Sequence, residues 1–169
     1  ATARSIIFVT EDGHRSMNTF LGASVLFSKE DVDADVVKAG GILYLEGYLF
    51  DKDEAKEAFI YAAEIAKAAG RKVALTLSDR FCVDRHRPSF LQLVKNNVDI
   101  LFANEEELLA LYETDDFDAA MAALQADTAA RWSTPPGPAT STRPASCSAC
   151  HAACHWRAAP GLAILRPLK

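Results

Sequence analysis

The alternation of short apolar runs with helical segments constrains the fold of this 169-residue chain more than any other feature. Apolar runs begin at Ile42 and cover 73–78 (VALTLS) and 98–103 (VDILFA), and each is short enough to be a buried strand. Segments with helical periodicity lie between these runs. Strands that alternate with helices pair in parallel through right-handed crossovers, so the pattern predicts part of a doubly wound α/β sheet.

Local start and stop signals mark the predicted helices and one hairpin. The first helix is predicted to begin at Asp51, with Glu54 completing a capping box, and to end at Gly70. Asp12-Gly13 lies between two apolar runs near the N-terminus, which predicts a β-hairpin with positive φ at its turn. Further helices are predicted over 88–96, 104–112 and 115–126.

The composition changes abruptly at residue 128. All 23 acidic residues and 13 of the 18 basic residues precede it, whereas six of the seven prolines follow it. We therefore predict an α/β domain over 1–127 and an irregular tail over 128–169, where the α/β pattern stops in mid-fold. A tail without acidic residues is typical of a GC-rich coding region read in a shifted frame, and we interpret it in that way.

Charge and hydropathy argue against two classes of partner. The net charge of −5 does not favour a nucleic-acid surface. No apolar run approaches the roughly 20 residues that a membrane span needs. The N-terminal segment ATARSIIFVTEDG is too short in its apolar part for a signal peptide. We therefore expect a cytoplasmic protein that binds neither nucleic acid nor membrane.

Four segments of the chain carry a family resemblance. They are VTEDGHRSMNTFLGAS (9–24), ILYLEGYLF (42–50), VALTLSDRFCVDRHR (73–87) and VDILFANEEEL (98–108). Together they resemble the PfkB/ribokinase-type sugar and nucleoside kinases, especially the adenosine-kinase-like branch, over residues 4–127. The resemblance implies part of a ribokinase-like sheet with a β-hairpin lid. It also implies transfer of a phosphoryl group from ATP, with Mg²⁺, to a primary hydroxyl of adenosine or a related sugar.

Asn104 and Glu107 match the N-x-x-E motif of that family, which organises the magnesium and phosphate network. The position suits this role, because Asn104 follows a predicted parallel strand and opens a helix at the carboxyl edge of the sheet. A carboxylate at that edge can hold hydrated Mg²⁺. The same spacing is also a capping box, and the two roles are compatible.

Three further residues are candidates for contact with the sugar or nucleoside. Arg15 resembles a lid arginine that approaches phosphate or substrate, Asn18 resembles a lid residue that faces the sugar, and Tyr48 resembles an aromatic that stacks on a nucleoside base. Each has a structural alternative, namely a solvated hairpin arginine, a turn residue and a core aromatic. The polar residues of the segment 79–85 follow a strand but receive no role.

The segment that supplies the catalytic base in the resembled family has no match in this sequence. In that family a Gly-Ala-Gly-Asp segment forms an anion hole and its Asp acts as the base. No Gly-x-Gly-Asp occurs in the 169 residues. We therefore expect an incomplete kinase that is inactive as it stands. The lid and the unfinished sheet edge are the expected surfaces for dimerisation.

The tail contains CSACHAACHW (147–156), which includes a C-x-x-C-H pattern. Cys147, Cys150, Cys154 and His155 are chemically suitable zinc ligands. A structural zinc site normally has a second, separated ligand pair, which this short run does not provide. An accident of composition is therefore favoured. The alternative function is a non-catalytic small α/β protein with a metal-binding Cys/His tail.

Overall fold

The computed structural model describes the backbone of residues 1–132, 154–159 and 162–167 and the side chains of residues 1–129. The strands are β1 (Arg4–Val9), β2 (Arg15–Phe20), β3 (Ile42–Glu46), β4 (Lys72–Thr76), β5 (Ile100–Asn104), β6 (Cys154–Ala159) and β7 (Leu162–Pro167). The α-helices are α1 (Ala34–Ala39), α2 (Asp53–Ala68), α3 (Arg80–Asn96), α4 (Glu105–Tyr112) and α5 (Phe117–Trp132). Short 3₁₀ turns lie at Gly22–Leu26, Lys29–Asp31 and Gly47–Asp51.

β1 and β2 form the predicted antiparallel hairpin, although its turn differs from the one expected. Gly13 has a positive φ of 84°, whereas Asp12 does not. The Thr10 N–H donates to the His14 carbonyl and the Gly13 N–H donates to the Thr10 carbonyl, both at 2.9 Å. The loop therefore has three residues with glycine in the left-handed position. All residues of both strands are exposed.

A second sheet has the strand order β3-β4-β5-β7-β6. β3, β4, β5 and β7 are parallel, and β6 is antiparallel to β7. One face of this sheet packs against helices α2 to α5 in a single hydrophobic core. The sheet residues in that core are Leu45, Val73, Leu75, Leu101 and Ala103. The partial parallel sheet with a hairpin beside it confirms the predicted fold class.

Helix α2 is amphipathic as predicted, but its predicted capping box is absent. Its N-cap is Lys52, which makes no side-chain cap hydrogen bond. Asp51 is unavailable as a cap because its carboxylate accepts hydrogen bonds from Arg85 and lies against His86. The C-terminal stop is as expected, since Gly70 has a φ of 69°. The buried stripe of α2 consists of Ala55, Ala58, Phe59, Ala62, Ala63 and Ala66.

Helix α3 begins at Arg80 rather than at Pro88. The Asp79 carboxylate caps it by accepting the Cys82 N–H at 2.6 Å. The helix is kinked at His86, whose φ of −123° and ψ of 20° are not helical. Proline inside a helix removes a donor and clashes with the preceding turn, so the kink two residues before Pro88 has a clear cause. The sequence pattern therefore predicted only the second half of α3.

Part of the tail returns to the sheet, which corrects the prediction of an irregular tail for those residues. β7 pairs with β5 in parallel, and β6 pairs with β7. Their sequences, CHWRAA and LAILRP, contain no proline before Pro167, so the proline-rich stretch does not interrupt them. Helix α5 continues to Trp132, so the change in composition falls within a helix. No helix in residues 1–132 has the length and apolar character that a membrane span requires.

Candidate active site

The carboxyl ends of three parallel strands bring polar residues together at one edge of the sheet. β3 ends at Glu46, β4 at Thr76 and β5 at Asn104. Glu46 lies beside Thr76 in the register, and Thr76 lies beside Phe102. Ligands of open α/β sheets bind at this edge. We refer to six residues at this edge together as the edge site: Glu46, Tyr48, Ser78, Asp79, Asn104 and Glu107.

Asn104 and Glu107 hold each other in place at the start of α4. The Glu107 backbone N–H donates to Asn104 Oδ1 at 2.8 Å, and the Asn104 backbone N–H donates to Glu107 Oε2 at 3.0 Å. The Asn104 side-chain amide donates to Glu107 Oε1 at 2.8 Å. The capping box that the spacing indicated is therefore present, and it fixes the orientation of both side chains.

Glu107 is a buried carboxylate with other acids around it. The residue is only 6% exposed. Burial raises the pKa of Glu107, the backbone N–H of Asn104 lowers it, and the negative charges of Asp79, Glu106 and Glu46 raise it further. A bound cation would relieve this repulsion. The electrostatics of the edge site therefore favour a positively charged ligand.

Asp79 connects the start of α3 to Tyr48. Its carboxylate accepts the Cys82 N–H and also the Tyr48 hydroxyl. Burial raises the pKa of Tyr48, and the charge of Asp79 and this hydrogen bond raise it further. Tyr48 nevertheless remains 43% exposed. The hydroxyl is thus held while part of the side chain is open to a ligand.

A left-handed residue after β4 closes the gap between the ends of β3 and β4. Ser78 has a φ of 72°, and its hydroxyl donates to the Glu46 carboxylate. Gly47 lies against this turn, where an added Cβ would lie 2.7 Å from the Thr76 carbonyl oxygen and 2.9 Å from that of Leu77. These obstacles are backbone atoms, so only glycine fits. The close contact holds the two strand ends together at the edge site.

The 3₁₀ turn that carries Tyr48 is anchored to α3 at its far end. Asp51 Oδ1 lies 3.0 Å from Arg85 Nη2, 3.2 Å from Arg85 Nε and 2.8 Å from His86 Nε2. The hydrogen bond from His86, followed by those from Arg85, holds the pKa of Asp51 below its usual value. Arg85 and His86 therefore position this turn and do not belong to the edge site itself.

The structure does not bring Arg15 and Asn18 to the edge site. Both lie in β2, where Arg15 pairs with Val9 and Asn18 pairs with Ile6. The hairpin is a two-stranded sheet separate from the five-stranded one. Contact of Arg15 and Asn18 with a substrate therefore stays a prediction.

The predicted metal ligands of the tail lie outside the described side chains. Cys147 and Cys150 fall outside the described residues, and Cys154 and His155 begin β6, of which the backbone alone is described. Within the described part of the chain, no group of three or more His, Cys, Asp or Glu side chains is placed to hold a metal ion directly. The zinc alternative is therefore untested.

Comparison with protein families adds the deciding observation. The family described as pfkB family carbohydrate kinase matches residues 1–132. This chain belongs to the pfkB family. The resemblance inferred from the four sequence segments is confirmed.

The pfkB relatives include nucleoside and sugar kinases. The adenosine kinase of Sinorhizobium meliloti is 58% identical with a TM-score of 0.71, over 75% of this chain and 39% of that protein. A probable sugar kinase from Rhizobium etli CFN 42 is 56% identical with a TM-score of 0.70, over 74% of this chain and 38% of that protein. The guanosine-inosine kinase of Escherichia coli K12 is 30% identical over 116 residues, which are 67% of this chain and 27% of that protein. The chain thus spans less than half the length of these relatives.

The acids of this pfkB edge site fit a hydrated magnesium ion. Both Glu107 oxygens accept hydrogen bonds from Asn104, but a carboxylate has about four acceptor positions, so capacity remains for the waters of an ion. Mg²⁺ usually keeps several of its waters, so few direct protein ligands are needed to hold it. Glu107 and Asp79 would hold such an ion, which neutralises phosphate charge when bound.

Sequence reasoning missed Glu46 and Ser78 and left Asp79 without a role. Asp79 carried a usable signal, because it is a helix-capping residue type directly after a buried strand. Glu46 and Ser78 carried none. Their hydrogen bond joins residues 32 apart in the sequence and depends on the pairing of β3 with β4.

Proposed function

We propose that the edge site binds a purine nucleoside together with magnesium-bound phosphates. The parent activity would be phosphorylation of the primary hydroxyl of the nucleoside by ATP. The observation behind this proposal is the Asn104–Glu107 pair, held at the carboxyl edge of a pfkB sheet beside Asp79 and Glu46. Two of the relatives are kinases of adenosine or of guanosine and inosine by name, which favours a nucleoside over a simple sugar.

The edge residues divide into two roles in this proposal. Glu107 and Asp79 attract the magnesium ion and orient its waters, because both are acidic groups in a partly desolvated site. Tyr48 stacks on the base, since its hydroxyl is held by Asp79 and its ring is partly exposed. Arg15 approaches the phosphates when the hairpin closes over the site. Asn18 then faces the sugar from the same strand.

We expect binding without efficient turnover for this polypeptide alone. Phosphoryl transfer needs a positioned base and donors for the charge that develops on the phosphoryl oxygens. No Gly-x-Gly-Asp segment occurs in the 169 residues to provide them. Each of these contributions is worth on the order of 10²–10⁴ in rate. Robust ATP-dependent phosphorylation of adenosine by the purified chain would contradict this expectation.

Three narrower proposals accompany this function. The cytoplasm, where ATP is available, suits the activity. The exposed hairpin is a candidate surface for dimerisation, because its apolar residues are not covered within the described part of the chain. The tail over 128–169 is proposed to come from a shifted reading frame that follows the α/β domain predicted over 1–127, although two of its segments add strands to the sheet. An unshifted frame through the tail in independent isolates would contradict that origin.

Adenosine binding by the purified chain tests the proposed function. Isothermal titration calorimetry should detect adenosine binding in the presence of Mg²⁺ and ADP. Tyr48→Ala should weaken it by about tenfold, because stacking of a base on an aromatic ring is worth about 1–3 kcal/mol. Tyr48→Phe should retain most of the affinity, since it keeps the ring.

Tyr61→Ala is the matched control for Tyr48→Ala. Tyr61 lies on α2 and is 37% exposed, close to the 43% of Tyr48, but it does not belong to the edge site. Its removal should leave the adenosine affinity unchanged. Equal losses in Tyr48→Ala and Tyr61→Ala, or preferential binding of ribose over adenosine, would contradict a nucleoside site at this edge.

A further inference from the structure

We propose that Glu46 and Ser78 are positioning residues of the edge site. Their hydrogen bond holds the chain after β4 in a strained turn, and this turn aims the Asp79 carboxylate at both Tyr48 and a bound cation. Glu46 and Ser78 act through Asp79 and need no contact with the ligands themselves. The inference rests on the proposed function, because Asp79 and Tyr48 are the ligand-binding groups that the turn positions.

Ser78 has a backbone conformation that serine rarely adopts. Its φ is 72°, and the Asp79 N–H donates across it to the Leu77 carbonyl at 3.0 Å. A three-residue turn with a positive φ at its centre is the rare and strained form of the γ-turn. A left-handed conformation costs an L-amino acid roughly a factor of ten in population. Ser78 therefore needs contacts elsewhere in the fold to hold it there.

The only other non-glycine residue with a positive φ in the described part of the chain has a local explanation. Glu113, with a φ of 51°, is the C-cap of α4, and helices commonly end in a left-handed residue. Ser78 lies instead between the end of a strand and the start of a helix, where it completes no such cap. Strained residues that the surrounding fold holds in place are concentrated at ligand sites.

The contact that holds Ser78 comes from the neighbouring strand. The Ser78 hydroxyl donates to the Glu46 carboxylate, although the two residues are 32 apart in the sequence. The Tyr44 hydroxyl donates to the same carboxylate. Glu46 is thus held from two sides at the end of β3, and from this position it can hold the turn that follows β4.

The conformation of Ser78 decides where Asp79 points. Leu77 is still joined to β5, since its N–H donates to the Phe102 carbonyl at 3.1 Å. Asp79 is already the N-cap of α3, and its carboxylate accepts the Cys82 N–H at 2.6 Å. Ser78 is therefore the single residue between the sheet and the helix. A change in its backbone angles would turn the Asp79 carboxylate away from its present direction.

A second hydrogen bond joins the same two turns in the opposite direction. The Ser78 hydroxyl, after β4, donates to Glu46. The Tyr48 hydroxyl, after β3, donates to Asp79. Release of Ser78 would separate Asp79 from Tyr48, so the proposed cation and the proposed base would lose a fixed partner together. The bond between Glu46 and Ser78 thus supports both parts of the proposed site.

Two substitutions of Glu46 separate positioning from direct attraction of a cation. Adenosine binding to the 169-residue chain is measured by calorimetry with Mg²⁺ and ADP. Glu46→Leu removes the acceptor of the Ser78 hydroxyl and should weaken adenosine binding about tenfold. Glu46→Gln removes the charge but keeps an oxygen acceptor, so its affinity should stay within about threefold of the unsubstituted chain. Equal losses in the two variants would overturn the inference, because Glu46 would then act through its charge.

Glycine and alanine at position 78 test the strained turn. Both remove the hydroxyl and should weaken adenosine binding about tenfold. Glycine takes a positive φ without a clash, so Ser78→Gly should unfold at a higher denaturant concentration than Ser78→Ala. The control Glu113→Gly replaces a left-handed residue at the far end of α4 and should leave the adenosine affinity unchanged. Equal unfolding midpoints for Ser78→Gly and Ser78→Ala would overturn the inference.

Amide hydrogen exchange of Cys82 reports the position of Asp79 without any ligand. This amide should exchange about tenfold faster in Glu46→Leu than in the unsubstituted chain, because Asp79 no longer accepts it firmly. Ser78→Gly gives the same comparison should Glu46→Leu fail to fold. Unchanged exchange, while the unsubstituted chain binds adenosine, would overturn this inference alone. Absence of adenosine binding by the unsubstituted chain would contradict the proposed function, and the binding role of Glu46 and Ser78 would fall with it.

Discussion

The edge site and the β-hairpin belong to one chain, but only the edge site is supported by the hydrophobic core. Asn104 is the last residue of β5, whose Leu101 is buried, and Glu107 lies in α4, which packs in the same core. In the hairpin all residues of β1 and β2 are exposed, including large apolar ones such as Phe8. The two regions therefore differ in what holds their functional candidates in place.

The family resemblance suggested candidate residues in both regions, but the structure holds the candidates of the two regions in place in different ways. The edge residues are fixed by hydrogen bonds within the capping box of Asn104 and Glu107 and by the bond between Ser78 and Glu46, which the fold brings together. Arg15 and Asn18 are positioned by hairpin pairing alone. A site prepared by the core needs little rearrangement to bind a ligand, whereas a lid must move and order itself at a cost in affinity.

Removal of a large side chain should produce the largest difference in stability loss between the two regions. Leu75 lies on β4 and is fully buried, so Leu75→Ala should lower the free energy of unfolding by about 3 kcal/mol through lost burial and a cavity. Ile7→Ala in the hairpin removes a residue that is 53% exposed and should cost less than about 1 kcal/mol. Chemical denaturation measures both values. Similar losses would mean that the hairpin packs in solution as tightly as the sheet.

Alanine substitutions of two asparagines, one in each region, give a matched comparison in which we expect an effect of intermediate size on stability. Asn104→Ala removes the N-cap of α4 and two hydrogen bonds of Glu107, so it should lower the free energy of unfolding by about 1 kcal/mol. Asn18→Ala in β2 should change it by less than about 0.5 kcal/mol. Both values come from denaturation curves followed by circular dichroism. A larger loss for Asn18→Ala would break the distinction between a fixed edge and a loosely held lid.

The buried charge of Glu107 should produce a smaller, pH-dependent effect. Burial raises the pKa of Glu107 in the fold above its ordinary value of 4.5, so its contribution to stability is complete below that value and is lost as the pH rises through the folded-state pKa. Glutamine does not titrate. The stability of Glu107→Gln relative to the unsubstituted chain should therefore increase from about pH 4 to about pH 7.

Glu106→Gln is the control for this pH effect, because Glu106 is adjacent in α4 but exposed. Its stability relative to the unsubstituted chain should change less over the same pH range. A stability difference for Glu107→Gln that is independent of pH would mean that the carboxylate is hydrated in solution and not desolvated at the edge site.

The smallest effect on stability is expected for the lid arginine. Arg15→Ala should change the free energy of unfolding by less than about 0.5 kcal/mol, because Arg15 is an exposed residue of β2. It should nevertheless weaken binding of ADP in the presence of adenosine and Mg²⁺ by several-fold, as measured by calorimetry. Unchanged affinity for both ligands would remove Arg15 from the proposed site and leave the edge site to bind alone.

Local signals predicted the fold better than they predicted the site. The runs at 73–78 and 98–103 overlap β4 and β5, and the Asn104 capping box was recognisable from its spacing. Asp51 has an equally good capping pattern, but the prediction there is wrong. Its carboxylate interacts with Arg85 and His86, 34 and 35 residues away, and a local pattern cannot show such partners.

The sequence by itself determined the elements whose causes are local: the hairpin at Asp12-Gly13, the strands between amphipathic helices and the cap at Asn104. Only the tertiary structure decided that Glu46 meets Ser78, that Asp79 holds Tyr48 and that the rings of Tyr44 and Phe102 lie close together. The physical reason is the parallel register of β3, β4 and β5. It brings together residues that are far apart in the chain, and no single segment contains that information.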